Sequence, residues 1–253
     1  MNTEGFGKAI ASIKTNRKQK PPIIYVDDKR EANKNFDEFK IKGGEDKLIL
    51  IPDKETERSI HYITGMSGSG KSTWIKNYAD EYRKAYPKNP IYLISALTED
   101  SSIDKIKGLK RLKLKGEEFL TTDLTAEDFQ DTLLIFDDCD CITEKGIKNK
   151  VYSLLQSVLQ TGRHFKVSVC YSSHLATNRA ETRIILAESH SITLFPCGMG
   201  GNSLKYVLQG YFGLDKNQIK KIKSLDSRWV SILRTYPMIV CCENEIYVLK
   251  NDD

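Results

Sequence analysis

The chain has 253 residues, 40% hydrophobic and 29% charged, which is ordinary for a soluble globular protein with one good core and a small appendage. No run of about 18 apolar residues occurs, which excludes a membrane-spanning helix, and the Lys-rich N-terminus lacks the apolar stretch of a secretory signal. The formal net charge of +5 permits a polyanionic partner without requiring one.

From Gly5 to Val26 there is no acidic side chain among Lys8, Lys14, Arg17, Lys18 and Lys20, so residues 1 to about 20 read as a flexible basic arm. Pro21-Pro22 then starts an extended piece, Ile23 to Val26. A polar helical pattern around Ala32 to Phe39 and a Gly43-Gly44 break complete a lead-in, 1–45, ahead of an expected core, 46–200. Ile60 to Thr64 reads as a strand and Thr73 to Tyr86 as a helix stopped by Pro87. Ile91 to Ser95 and Leu133 to Phe136 are continuous apolar runs, the pattern of buried parallel strands. Between them Arg111 to Lys115 alternates with period two, as an exposed or edge strand does. Gly146 to Gln160 is helical in pattern, and Phe165 to Tyr171 and Ser191 to Phe195 read as further strands. This alternation predicts an α/β fold with a mainly parallel sheet. The remainder, 201–253, reads as helices over Leu204–Leu208 and Asp215–Lys223, then strands over Trp229–Thr235 and Ile239–Leu249, with Asn244 in the turn of a closing hairpin.

The six cysteines, Cys139, Cys141, Cys170, Cys197, Cys241 and Cys242, show neither a CxxC pair nor zinc-type spacing with His. They fit a reducing compartment, with several acting as small hydrophobes in strand-like runs.

Gly65-Met66-Ser67-Gly68-Ser69-Gly70-Lys71-Ser72 matches G-x-x-x-x-G-K-[ST], between a strand and a helix, with Thr73 continuing into the helix. Glycines let such a loop curl until its N–H groups face a phosphate, and the following helix adds its dipole. Lys71 is expected on the β- and γ-phosphates of ATP, and the Ser72 hydroxyl on Mg2+. Leu133-Leu134-Ile135-Phe136-Asp137-Asp138 carries two carboxylates to a strand's C-terminal end, where open α/β sheets bind ligands. Asp137 is then expected on the magnesium and Asp138 on the attacking water. Tyr171-Ser172-Ser173-His174 ends the next strand, so His174 is either a γ-phosphate sensor or a surface histidine. Arg163, Arg179 and Arg183 are candidates for an arginine finger, with Arg163 and Arg183 leading.

Taken in order, GMSGSGKS, LLIFDDCD, LQTGRHFKVSVCYSSH and TRIILAESHSITLFP resemble the poxvirus-type genome-packaging ATPases of large DNA viruses and virophages, within the FtsK/HerA superfamily of P-loop NTPases. The resemblance spans about Ile60 to Pro196. It implies an additional-strand P-loop fold, a three-layer sandwich, and a homo-oligomeric ring, pentamer or hexamer, around double-stranded DNA. It further implies a viral capsid component as partner, and residence in the host cytoplasm, a viral factory or the virion. Two departures from the superfamily stand out: His174 where Gln or Asn is common, and Asp138 where Glu is common. A motor that moves any sequence holds phosphates, for which Lys105, Lys107, Lys110, Arg111, Lys113 and Lys115, or Lys216, Lys220 and Lys223, are the candidate surfaces. A small-molecule or nucleotide kinase, and a non-motor ATP-dependent switch, are the other functions that this loop serves.

Overall fold

The computed structural model describes residues 1–15, 21–27, 35–42, 44–56, 58–114 and 117–250. Arg17, Lys18, Lys20, residues 32–34 of the expected helix, and Lys115 lie outside the described residues. The chain forms two compact units, Met1–Thr56 with His190–Asp253, and Glu57–Ser189.

In the first unit, β1 (Lys8–Lys14) lies between β2 (Ile23–Val26) and β4 (Lys47–Leu50), antiparallel to both. The basic arm is therefore a strand over Lys8–Lys14. The reason is local: Ile10 and Ala11 are fully buried, so the lysines flank an apolar centre rather than a solvated tail. Gly7 has φ 83°, and a Cβ there would lie 2.1 Å from the Val26 carbonyl oxygen, so the entry to β1 requires glycine. β3 (Glu38–Lys40) falls at the end of the expected helix and is instead a short strand. Pairing decides against the helical pattern: Phe39 sits opposite Ile246 in the last strand of the chain.

The second unit is an α/β layer structure. Its elements are β5 (Ile60–Thr64), α1 (Lys71–Ala85), β6 (Ile91–Ser95), β7 (Leu109–Arg111), α2 (Glu117–Thr121), β8 (Leu133–Asp137), α3 (Lys145–Thr161), β9 (Ser168–Ser173) and α4 (Arg179–Glu188). Its strands run in the order β5-β9-β8-β6-β7, all parallel. The extra strand β9 thus separates the loop-bearing strand from the one carrying Asp137. The crossover through α1 runs from β5 towards β6, whereas the one through α3 runs back from β8 to β9. Right-handed connections then place α1 and α3 on opposite faces, giving three layers. β8 is buried throughout, as its apolar run Leu133–Phe136 requires, and β5 is buried along its whole length as well. β7 is the short edge strand, ending at Arg111 rather than Lys115.

The first unit resumes with β10 (Ser191–Leu194), α5 (Gly201–Phe212), α6 (Lys216–Lys223), β11 (Val230–Leu233), β12 (Ile239–Cys242) and β13 (Glu245–Val248). More than a closing hairpin forms here: β10, β11, β12, β13 and β3 pair successively as antiparallel neighbours. α6 starts on Asp215, whose side chain accepts from the Asn217 and Gln218 N–H groups while Gln218 reaches back to the Asp215 N–H. Among the described residues no helix is long and apolar enough to cross a membrane.

Candidate active site

The carboxyl ends of the parallel strands coincide. Thr64 pairs with Ser173, Ser95 with Asp137, and Phe136 with Tyr171. Everything that follows these residues therefore leaves the sheet at one edge, where α/β folds bind ligands.

The loop from Gly65 begins there, with the Gly65 N–H donating to the Ser173 carbonyl at 3.3 Å. Gly68 (φ 73°) and Gly70 (φ 113°) take the left-handed backbone that only glycine adopts without strain. Gly70 caps α1 without any side-chain hydrogen bond, and the first helical turn contains no acidic residue. The amino-terminal N–H groups of α1 and its positive dipole end are thus left for an external anion. α1 is held by Trp74, Ile75, Tyr78, Ala79 and Tyr82, and His61 of β5 packs edge-on against Trp74 and Tyr78. Met66, Ser67 and Gly68 at the loop crest are exposed, Ser69, Gly70 and Ser72 half-buried, and Thr73 exposed.

Lys71 is buried, and its ammonium curls back over the loop to donate to the carbonyls of Gly65 (3.0 Å) and Met66 (3.3 Å). It also lies 3.3 Å from Nδ1 of His174. Since an ammonium only donates, Nδ1 accepts, and the ring proton belongs on Nε2. That nitrogen lies 3.1 Å from Oδ1 of Asp138. The approach has ion-pair distance without hydrogen-bond alignment, so Oδ1 still lacks a bonded donor. His174 thereby spans the loop lysine and the second acid.

Asp137 is 1% exposed. Its Oδ1 accepts from Ser172 Oγ at 2.5 Å, while Oδ2 has no partner. Burial, reinforced by the nearby charges of Asp138 and Asp100, pushes its carboxyl up to about 6 despite the opposing Ser172 bond and Lys71 charge. Asp138 takes a left-handed backbone, φ 49°, which turns its side chain out of the strand pattern. Its N–H donates to Ser172 Oγ at 3.3 Å, so one hydroxyl holds both acids.

Three supporting residues escaped the sequence reading. Besides Ser172 these are Asp140, which accepts from Ser173 Oγ (3.1 Å) and the His174 N–H (3.3 Å), and Tyr62, whose hydroxyl donates to the Leu175 and Ala176 carbonyls at 2.8 and 3.1 Å. Asp140 and Tyr62 pin the turn that presents His174, while Ser172 holds the two acids. Their signal lies in strand register, which spacing along one segment does not reveal.

Arg163 is not brought to the loop within the chain. Arg163 follows α3 and precedes β9, hence lies at the opposite edge of the sheet, a strand length of roughly 17 Å from the loop. Arg183 is exposed on α4, which starts at the loop edge; the Arg179 side chain lies outside the described residues. Among the basic candidates, the Arg111 guanidinium is engaged by the Leu97 carbonyl (2.7 Å) and Asp104 (2.5 Å), and Lys110 lies over the Tyr92 ring. Lys216, Lys220 and Lys223 are exposed, because Ile219 and Ile222 take the inner face of α6.

Ser69 Oγ, Asp137 Oδ2 and Asp138 Oδ1 are buried without a hydrogen-bond partner. Buried polar atoms are normally satisfied, so three orphans around one loop mark a place built for a ligand. One of them, the Asp137 oxygen, is a hard anionic donor of the kind Mg2+ prefers, with the half-buried Ser72 hydroxyl opening α1; these residues fit that ion.

An uncharacterized protein, V3 of Sputnik virophage, is 34% identical over 246 residues, which cover 96% of each chain. The chain belongs to the V3 family. No protein-family model matches it. Among solved structures, the V3-family chain is similar to B204, the DNA-packaging ATPase of Sulfolobus turreted icosahedral virus, at 18% identity and a TM-score of 0.48, covering 74% of this chain and 97% of that one. The genome-packaging NTPase B204 of Sulfolobus turreted icosahedral virus 2, in complex with ATP-γ-S, is similar at 17% identity and a TM-score of 0.47, covering 73% and 97%.

Proposed function

We propose that this V3-family protein is a Mg2+-dependent ATPase whose turnover drives double-stranded DNA into a viral capsid. The observation that carries the ATPase reading is the meeting of Lys71, Asp137, Asp138 and His174 around a glycine-curled loop at the carboxyl edge of a parallel sheet. The DNA motor part rests on the sequence resemblance to packaging ATPases and on the exposed lysines of α6.

The loop N–H groups and the α1 terminus bind the β-phosphate, and Lys71 exchanges its two loop carbonyls for β- and γ-phosphate oxygens. Ser72 and Asp137 would hold Mg2+, which when bound neutralises phosphate charge. Asp138 accepts a proton from water as that oxygen bonds to the γ-phosphorus; the bond to the β–γ bridging oxygen breaks, and ADP and phosphate leave. His174 occupies Lys71 and Asp138 before nucleotide arrives, so a γ-phosphate drawing Lys71 away also frees the acid. This makes His174 the sensor. Charge developing on the transferred phosphoryl group calls for an arginine from a neighbouring copy in a ring of five or six subunits, and Arg183 is the candidate at the correct edge.

The test is phosphate release by the full chain with and without duplex DNA, with ring size measured alongside. Stimulation by DNA that weakens steeply with added salt is expected. Release indifferent to DNA, or γ-phosphate passed to a soluble acceptor, would sink the motor. Lys71→Ala is expected to weaken ATP binding on the order of 100-fold, since it removes charge-assisted bonds to two phosphates. Unchanged ATP affinity in that variant, read by equilibrium binding, would remove the loop from the site.

A further inference from the structure

Sequence spacing assigns the cysteines no metal role, but spacing only sees one segment at a time. The short 3-10 turn Cys139–Cys141 follows β8, and His174 follows β9. Parallel pairing of those two strands sets Asp140, Cys141 and His174 side by side, with a carboxylate oxygen, Sγ and a ring nitrogen all within 4.8 Å of one another. Cys139, two residues earlier, is fully buried and points its thiol at the Ile94 carbonyl, whereas Cys141 is exposed. Cys141 also borders a cavity of about 410 Å3, shared with Ser95, Leu97, Arg111 and Thr143, which leaves an entry path and room for water.

We propose that Asp140, Cys141 and His174 form a three-ligand site for a soft divalent cation, best matched by Zn2+, separate from the magnesium position at Ser72 and Asp137. The donor set decides the ion class. Mg2+ takes oxygen ligands, whereas thiolate, imidazole and carboxylate together suit zinc in a tetrahedral arrangement, with water as fourth ligand. The outer groups are also in place: Ser173 Oγ and the His174 N–H already donate to Asp140 and orient it. Binding releases the Cys141 thiol proton to solvent as the sulfur–metal bond forms.

A consequence rests on the ATPase reading. A metal takes one nitrogen of His174, and with it the contact to Lys71 or to Asp138. Zinc occupancy therefore inhibits turnover, and does so through Cys141.

The experiment is a Co2+ titration of the full chain without nucleotide, followed by Zn2+ displacement. One equivalent is expected to bind with a near-ultraviolet thiolate charge-transfer band and tetrahedral d–d bands, both abolished by added Zn2+. Cys141→Ser is expected to lose that band and at least about 100-fold in Zn2+ affinity, more than the change of an outer-sphere partner costs. It keeps basal ATP turnover but loses zinc inhibition. Cys197→Ser, at the other exposed thiol, keeps the band. A band that survives Cys141→Ser, vanishes with Cys197→Ser, or never appears would overturn the site. Because binding is read without ATP, that failure leaves the ATPase reading standing, and an inactive ATPase that still shows the band leaves the site standing.

Discussion

Asp137→Asn is expected to raise the melting temperature of the nucleotide-free protein by about 5–10 °C at pH 8, while abolishing the extra stabilisation that Mg2+ and ATP confer. In the fold the Asp137 carboxyl is raised to about 6 from an ordinary 3.8, chiefly by burial. Between those values the folded state holds a proton that the unfolded state has lost, so folding is favoured. That contribution is complete below the unfolded value and is lost as pH rises through about 6. Above it the native protein carries a buried charge, at a cost of about 3 kcal/mol for a displacement of roughly two pH units. Asparagine keeps the shape and still accepts the Ser172 hydroxyl, but carries no charge. Calorimetry from pH 4 to pH 8 should show the two proteins converging in acid and separating above pH 6. A constant difference across that range would mean that Asp137 is not the strained group. Under the proposed function that cost is offset by the charge Mg2+ requires, a trade between stability and activity.

Asp138→Asn should lower single-turnover hydrolysis by about 10²- to 10⁴-fold, the range of one general base, with ATP binding within about threefold of the parent, a factor worth under 1 kcal/mol. The substitution suits the backbone, because asparagine tolerates the left-handed conformation that Asp138 adopts at φ 49°. Its amide oxygen keeps the place of Oδ1 beside His174 Nε2, so that contact is preserved and only proton acceptance is removed. Rapid-quench hydrolysis, paired with equilibrium nucleotide binding, separates the two quantities. Parental turnover in this variant would transfer the base role to another group.

How far the sequence could be read depends on the range of each interaction. Gly65 to Ser72 was legible because its chemistry is local: a few glycines, a lysine and a hydroxyl, contiguous along the chain, between a strand and a helix. Leu133 to Asp138 was legible for the same reason, since four apolar residues specify burial and the following acids mark the strand end. The arm at Lys8 to Lys14 was misread because charge was weighed above the apolar centre Ile10-Ala11, which only β2 and β4 can cover. Glu38 to Lys40 was misread because its partner lies at the far end of the chain.

By itself, then, the sequence determined the glycine-rich loop, the paired acids, the parallel α/β unit and the helix α6. All of these follow from neighbours in the chain, through backbone freedom at glycine and apolar periodicity. Tertiary structure decided the rest. It put Arg163 at the edge of the sheet opposite the loop, let Ser172 hold both acids, and set His174 between Lys71 and Asp138. It also brought Asp140 to His174 across 34 residues, with Cys141 beside them. Strand order and register make these encounters, and neither is written in the spacing of any one segment.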